Sequence, residues 1–306
     1  QAWGAIGDRE RSVQHLREAV AHYARAFGET DALTLETRYA LVRALAHANS
    51  AAQVAEAGRL LDATDADAGA RAQGDTLLAL EAAHARGVLH FQQLQIAPAR
   101  DAFARAGRLQ RLLRPDDAML ATTLREHVSD VALRSGDLDG AVAQLRAMLA
   151  DPLFDAGRIG EARTSGHRNM LARALRNQGR YDEALPLAES AADVSERLFG
   201  PDDYSTLVRM STVASIHDFA GRCDLALPIA RTVRERMAAR YGEARQATLV
   251  ETGNLGFRER DCGDRDAGIA WLRQAESGLR RHYGEDNVAA HSFRYALAHL
   301  LADEGR

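Results

Sequence analysis

The chain has 306 residues, with six prolines and 6% aromatic side chains in an Ala-, Leu-, Arg- and Glu-rich mix. Unbranched side chains of that kind lose little rotamer freedom in a helix, so an all-α protein is expected. The formal charge of -4 is spread as arginine against Asp and Glu along the whole length, with no block of like sign, and this excludes nucleic acid as an expected direct partner.

No lysine occurs, so all 39 basic side chains are arginine, which the codon usage of a GC-rich bacterial genome explains without a functional argument. No apolar run approaches the roughly 18 residues needed to cross a bilayer, and no charged-then-apolar signal segment opens the chain. A soluble domain is expected. Because the sequence starts at Gln1 and stops at Arg306 inside what reads as a repeat, it is expected to be a fragment of a larger protein. A cytoplasmic placement is favoured over a periplasmic one, which a membrane anchor in the parent would allow.

Taken in order, the chain is marked by small residues at Ala44, Gly87, Ser129, Ala172, Ala214, Gly256 and Ala298, at steps of 42 or 43 positions. A small side chain at a fixed point lets one helix approach its partner closely, as a helical hairpin stacked on copies of itself requires. Turns keep the same step at Gly7, Gly136, Gly179, Gly221, Gly263 and Gly305, with two glycine-free turns near Ala51 and Leu94. After each turn a second helix presents an i, i+3 pair, such as Leu16 and Ala19, Phe103 and Ala106, Leu145 and Met148, Ala188 and Ala191, or Leu272 and Ala275. Such a stripe is core rather than ligand groove.

The second junction recurs as Phe27-Gly28, Phe199-Gly200, Tyr241-Gly242 and Tyr283-Gly284, the first three followed by Thr34-Leu35, Thr206-Leu207 and Thr248-Leu249. These marks place the end of one helix and a second helix in residues 1–28. Six helix pairs follow, at about 31–65, 72–113, 117–151, 160–199, 204–241 and 246–283, and a terminal helix lies within 287–306. The whole of 1–306 reads as one repeat array, degenerate over 31–158 and well matched over 160–283. Asp62–Gly69 is the most loop-like linker, and Pro152 is expected to end a helix early in the irregular junction from Asp151 to Arg158.

One copy of the unit is fullest: Asn169-Met-Leu-Ala172, then Gly179-Arg-Tyr-Asp-Glu-Ala184, then Phe199-Gly-Pro-Asp-Asp-Tyr-Ser-Thr-Leu207. It resembles the tetratricopeptide repeat in its long-period form, seen in kinesin light chain and in many bacterial signalling proteins. Those repeats run approximately Leu-Gly-x-x-His-Pro-x-Thr-Leu, Asn-Leu-Ala and Gly-Arg-Tyr-x-Glu-Ala. The match is close from about 160 to 283 and weaker before residue 117. The resemblance implies a right-handed superhelical solenoid of about seven antiparallel helix pairs, with the first helix of each pair lining a concave inner face. It also implies a non-catalytic scaffold that binds a protein or peptide there. Bacterial relatives commonly carry a winged-helix DNA-binding domain or a Ser/Thr kinase, so a sensor of a small ligand or signalling peptide that controls such a domain is the alternative.

No catalytic signature occurs: there is no phosphate-binding Gly-x-x-x-x-Gly-Lys loop, no His-Glu-x-x-His and no Gly-x-Ser-x-Gly. An enzyme is not expected, and neither is a cofactor. His84 and His90, or His291 and His299, have the wrong spacing for one metal ion. Asp116-Asp117 and Asp202-Asp203 suit helix N-termini through the dipole. Cys223 and Cys262 lack a zinc spacing; each lies beside a glycine turn, so a disulfide is open if the domain is extracytoplasmic, but two separate free thiols are favoured, since stacked helices lie roughly 10 Å apart and bridging needs Cα atoms within about 7 Å.

Carrying the family's inner-face positions over by their distance from each turn implies Asn169, Arg173, Arg176, Asn177, Ser211, Ser215, Asp218, Phe257, Arg260 and Tyr295 as peptide-binding residues. Asn169, Arg173, Arg176 and Asn177 share one helical face, with amides for a peptide backbone and guanidinium groups for a carboxylate. That face suits an acidic or C-terminal peptide. The plainer reading is a solvated helix face whose arginines are neutralised by Asp130 or Asp218. Self-association through the apolar ends of a truncated array is a further expectation.

Overall fold

The computed structural model describes residues 5–47, 51–151, 157–285 and 287–303. Among the described residues there are fourteen α-helices, one short 3-10 turn and no strand. The chain divides into two compact units, Gln1–Leu153 and Phe154–Arg306. The first holds α1 (Ala5–Phe27), α2 (Ala32–Ala46), α3 (Ala51–Ala68), α4 (Leu77–Gln92), α5 (Ile96–Leu113), α6 (Ala118–Ser135) and α7 (Leu138–Leu149). The second holds α8 (Gly157–Asn177), α9 (Tyr181–Phe199), α10 (Tyr204–Phe219), α11 (Cys223–Tyr241), α12 (Gln246–Cys262), α13 (Arg265–Tyr283) and α14 (Val288–Asp303). Within each unit, consecutive helices pack as pairs in series.

Local chemistry explains where the helices begin. Asp31, Asp117, Asp137, Asp203 and Asp264 cap helices by accepting a backbone N–H from two or three residues on, as Asp203 Oδ1 does from Ser205 at 2.8 Å. The recurrent threonine has a specific task. Thr34 and Thr206 each donate Oγ1–H to the carbonyl of the junction glycine six residues earlier, Gly28 and Gly200, at 2.9 Å. Thr248 in the same place turns instead to the Met237 carbonyl at 3.4 Å.

The turns between paired helices need a left-handed residue. Gly179 supplies it with φ +75° while Arg180 N–H bonds the Leu175 carbonyl at 2.9 Å. Leu94 makes the same turn with φ +60° and a matching bond from Gln95 N–H to the His90 carbonyl at 2.9 Å. A leucine therefore bears the steric cost that glycine avoids elsewhere.

The small-residue positions are where helices touch. A Cβ on Gly87 would meet the Phe103 ring at 2.5 Å, and one on Gly256 would lie 2.9 Å from Leu272 Cγ. Ala172 and Ala214 are fully buried, while Ala298, on the last helix, is exposed. In the first unit the fully buried Tyr39 donates to Asp65 Oδ1 at 2.8 Å, and Arg86 clasps Asp65 Oδ2 at 2.6 Å, tying α2, α3 and α4 together. In the second unit buried alanines such as Ala184, Ala188 and Ala191 let α8 and α9 close on each other.

Several sequence expectations are corrected. Gly7 lies inside α1, so no turn occurs there, and residues 1–4 and Gly305 lie outside the described residues. Asp62–Ala68 is the end of α3 rather than a loop, because its acids have partners in Tyr39, Arg86 and Arg38. Pro152 also lies outside the described residues. Cys223 and Cys262 form a disulfide with Cα atoms 5.2 Å apart. The spacing of roughly 10 Å applies to helix axes; two facing Cα atoms each stand about 2.3 Å off their axis, which brings them within bridging range.

Candidate functional site

Counting from the small-residue positions exposes two columns of the repeat. Two residues further on stand Ala46, Leu89, Val131, Ala174, Ile216, Arg258 and Leu300; five residues earlier stand Tyr39, Ala82, Leu124, His167, Arg209, Glu251 and Phe293. In the first unit both columns are buried and the side chains are apolar or, in Tyr39, aromatic. In the second, polar groups enter the same interior positions, where a charge needs hydrogen bonds or a counter-charge to be tolerated.

Arg258 on α12 is only 5% exposed. Its Nε lies 3.6 Å from Asp218 Oδ2 and makes no hydrogen bond among the described residues. Burial lowers its pKa, against the opposing pull of Glu251 and Asp218. Glu251, two turns earlier on α12, accepts from Ser211 Oγ at 2.7 Å, and burial pushes its carboxyl up. Burial likewise raises Asp218, with Arg258 pulling it back.

Arg176, in the last turn of α8, donates from Nη1 to Ser215 Oγ at 2.6 Å and from Nη2 to Asn177 Oδ1 at 2.8 Å. Its guanidinium carbon stands 5.0 Å over the exposed Phe219 ring. Burial pulls its pKa down to about 10, and repulsion from Arg173 and Arg258 adds to this. Arg173 is exposed one turn earlier, and the buried Asn169 has an Oδ1 that finds no hydrogen-bond partner among the described residues. Arg173 and Arg258 both repel Arg176, and an arriving anion would relieve that repulsion.

The structure gathers Arg173, Arg176, Asn177, Ser211, Ser215 and Asp218 on α8 and α10, with Asn169 deeper on α8. Phe257 packs on Phe293 at 5.8 Å as part of the core, and Arg260 lies over Phe257 while its guanidinium is committed to Asp261. Tyr295 is exposed on α14 against His299, ring centroids 4.3 Å apart. Arg258, Glu251 and Phe219 are absent from the sequence-based set. The signal for the first two was available, since a charged residue interrupts an otherwise buried column.

In the first unit, polar side chains of the first helices have partners within the unit. Arg43 bonds Glu81 at 2.6 Å and Arg134 covers Phe91 at 4.5 Å. His127 stacks on Phe103 at 4.7 Å and lies 5.3 Å from buried His84 and 6.2 Å from His47. Among the described residues no group of His, Cys, Asp and Glu could hold a metal ion, and no helix is long and apolar enough to cross a membrane.

Helix pairs repeated at a step of 42 or 43 residues, small-residue contacts and polar side chains on the first helices define an α-helical repeat protein of the solenoid class. Residues 161–239 match the family model of the tetratricopeptide repeat. No curated protein matches the sequence. Among solved structures, the kinesin light chain TPR-like repeats of Podosopora anserina superpose with a TM-score of 0.52 at 17% identity, covering 66% of this chain and 96% of that one. Rap protein complexed with competence and sporulation factor gives 0.68 at 12% identity, over 94% of this chain and 80% of that one. NprR in complex with its cognate peptide NprX gives 0.67 at 12% identity, over 97% and 85%. These likenesses are of fold.

Proposed function

We propose that the protein is a non-catalytic scaffold that binds an acidic protein segment or peptide on the face formed by α8, α10 and α12, as the interaction region of a bacterial regulatory protein. The observation that carries this reading is the half-buried Arg176, bonded to Ser215 and Asn177, near the buried Arg258 that faces Asp218 at 3.6 Å, with the exposed Arg173 one turn away on α8. Guanidinium forks suit side-chain or terminal carboxylates, and Asn169 and Asn177 suit a peptide backbone. Tetratricopeptide scaffolds are typically non-catalytic.

The test uses a fluorescein-labelled, Asp- and Glu-rich decapeptide with a free C-terminus, followed by anisotropy. Arg173→Ala with Arg176→Ala should weaken its binding by about 2 kcal/mol or more, the loss seen for desolvated hot spots. Equal affinity in a variant with an unchanged helical spectrum refutes the site, and no binding to the unaltered protein refutes the acidic-ligand reading. A second reading, a sensor of a signalling peptide acting on an attached winged-helix or kinase domain, draws support from the peptide named with NprR. A thermal-shift screen of short peptides and metabolites separates the two, because silence from both favours a large protein partner.

A further inference from the structure

The Cys223–Cys262 disulfide adjoins the polar cluster. Cys223 is the first residue of α11 and Cys262 the last of α12, so the bond staples the second helix of one pair to the first helix of the next. Cys262 Sγ lies 3.8 Å from Asp218 Oδ1, and the other oxygen of that carboxylate faces Arg258 Nε at 3.6 Å. Sulfur, carboxylate and guanidinium thus stand in series, and Arg258 is one helical turn before Cys262.

The last turn of α12 lies close on α13, with the Arg260 backbone against Gly268, but toward α11 it has one further tie among the side chains described, from Arg231 Nε to Glu259 Oε1 at 2.7 Å. On that side, a helix end held by so few ties is the kind of segment that opens locally when one is cut. Both cysteines are half-buried, so a small reductant can reach them.

Resting on the proposed acidic-ligand site, we infer that this disulfide is a redox gate on that site: oxidised, it holds the last turn of α12 so that Arg258 and Asp218 are set for the ligand; reduced, it releases them. In the reducing step a thiolate of a small dithiol attacks one sulfur and forms a mixed disulfide. The second thiol of the reductant then closes its own ring. Two electrons and two protons pass to the protein, Cys223 and Cys262 end as thiols, and the reductant ends as a cyclic disulfide. The new Cys262 S–H stands where it can donate to Asp218, competing with Arg258. Losing the staple also loses preorganisation, which weakens binding without changing a contact residue.

The experiment compares the oxidised protein, the same protein reduced with dithiothreitol, and Cys223→Ser with Cys262→Ser, using the labelled acidic decapeptide and amide hydrogen exchange. Reduction should weaken the peptide about tenfold and speed exchange at residues 258–263 about tenfold, while α8 amides keep their rates. Reoxidation should restore both, and the double variant should match the reduced form and ignore the reductant. Unchanged exchange at 258–263 with two free thiols titrated overturns the gate, and so does faster exchange with undiminished peptide affinity. If the peptide binds in neither state, the acidic-ligand reading fails, and the gate on it fails too; the exchange rates then show whether the staple still orders α12.

Discussion

Acidification from pH 7 to pH 5 should weaken the first unit through His127, whose imidazole is held neutral between Phe103, His84 and His47. Burial, reinforced by His47 and outweighing the opposing pull of Glu126, brings its pKa down from 6.5 to about 4. The unfolded chain therefore takes up a proton between about pH 6.5 and pH 4 that the folded chain refuses. Stability falls as pH drops through that window and levels off below it. At pH 5 the difference for this one group amounts to about 2 kcal/mol, against a few tenths at pH 7. His84, which burial and Arg43 also push well below its ordinary value, acts in the same direction. Denaturant midpoints followed by far-ultraviolet circular dichroism at the two pH values measure the total, and amide exchange in α6 localises it. His127→Phe keeps a ring against Phe103 and removes the proton site, so it should abolish about 2 kcal/mol of the acid loss. An identical pH dependence in that variant would refute the assignment.

Leu94→Gly relieves the left-handed turn at a residue that is 53% exposed; it should raise stability by up to about 1 kcal/mol in denaturant titration. Gly268→Ala places a Cβ 2.5 Å from the Arg260 backbone nitrogen and 2.7 Å from the Gly256 carbonyl oxygen, so it should cost about 3 kcal/mol by the same assay, because two backbones must part. Reduction of Cys223–Cys262, which closes a loop of sequence separation 39, should cost about 4 kcal/mol on the chain-entropy account, seen as a lower midpoint in dithiothreitol.

The all-helical repeat fold was legible because its information is periodic: a small residue every 42 or 43 positions and a threonine six places after the junction glycine each report a contact that the structure contains. The approach of Cys223 and Cys262 was not, since an average axis spacing says nothing about which two Cα atoms face each other at helix ends. Asp62–Gly69 misled through composition, because the partners that hold Asp65 and Asp67 in a helix lie on α2 and α4. Arg176, Ser215 and Asp218 were expected by distance from the turns, which marks one face of the first helix, and Ser215 lies buried against Arg176. Arg258 and Glu251 stand in other columns of the repeat, so counting along that face passed over them. Looking for charges that break a core column would have reached them.

The disulfide also alters how the array would yield to a pull on its ends. Without it, an array whose helices hold mainly their neighbours can peel open helix by helix. With it, the 39-residue separation between Cys223 and Cys262 is shorted across a single bond, which withholds roughly 13 nm of contour length at about 3.4 Å per residue. Tension entering from either terminus would bypass most of α11 and α12, leaving the helices that carry Arg231 and Arg258 out of the load path while their neighbours extend.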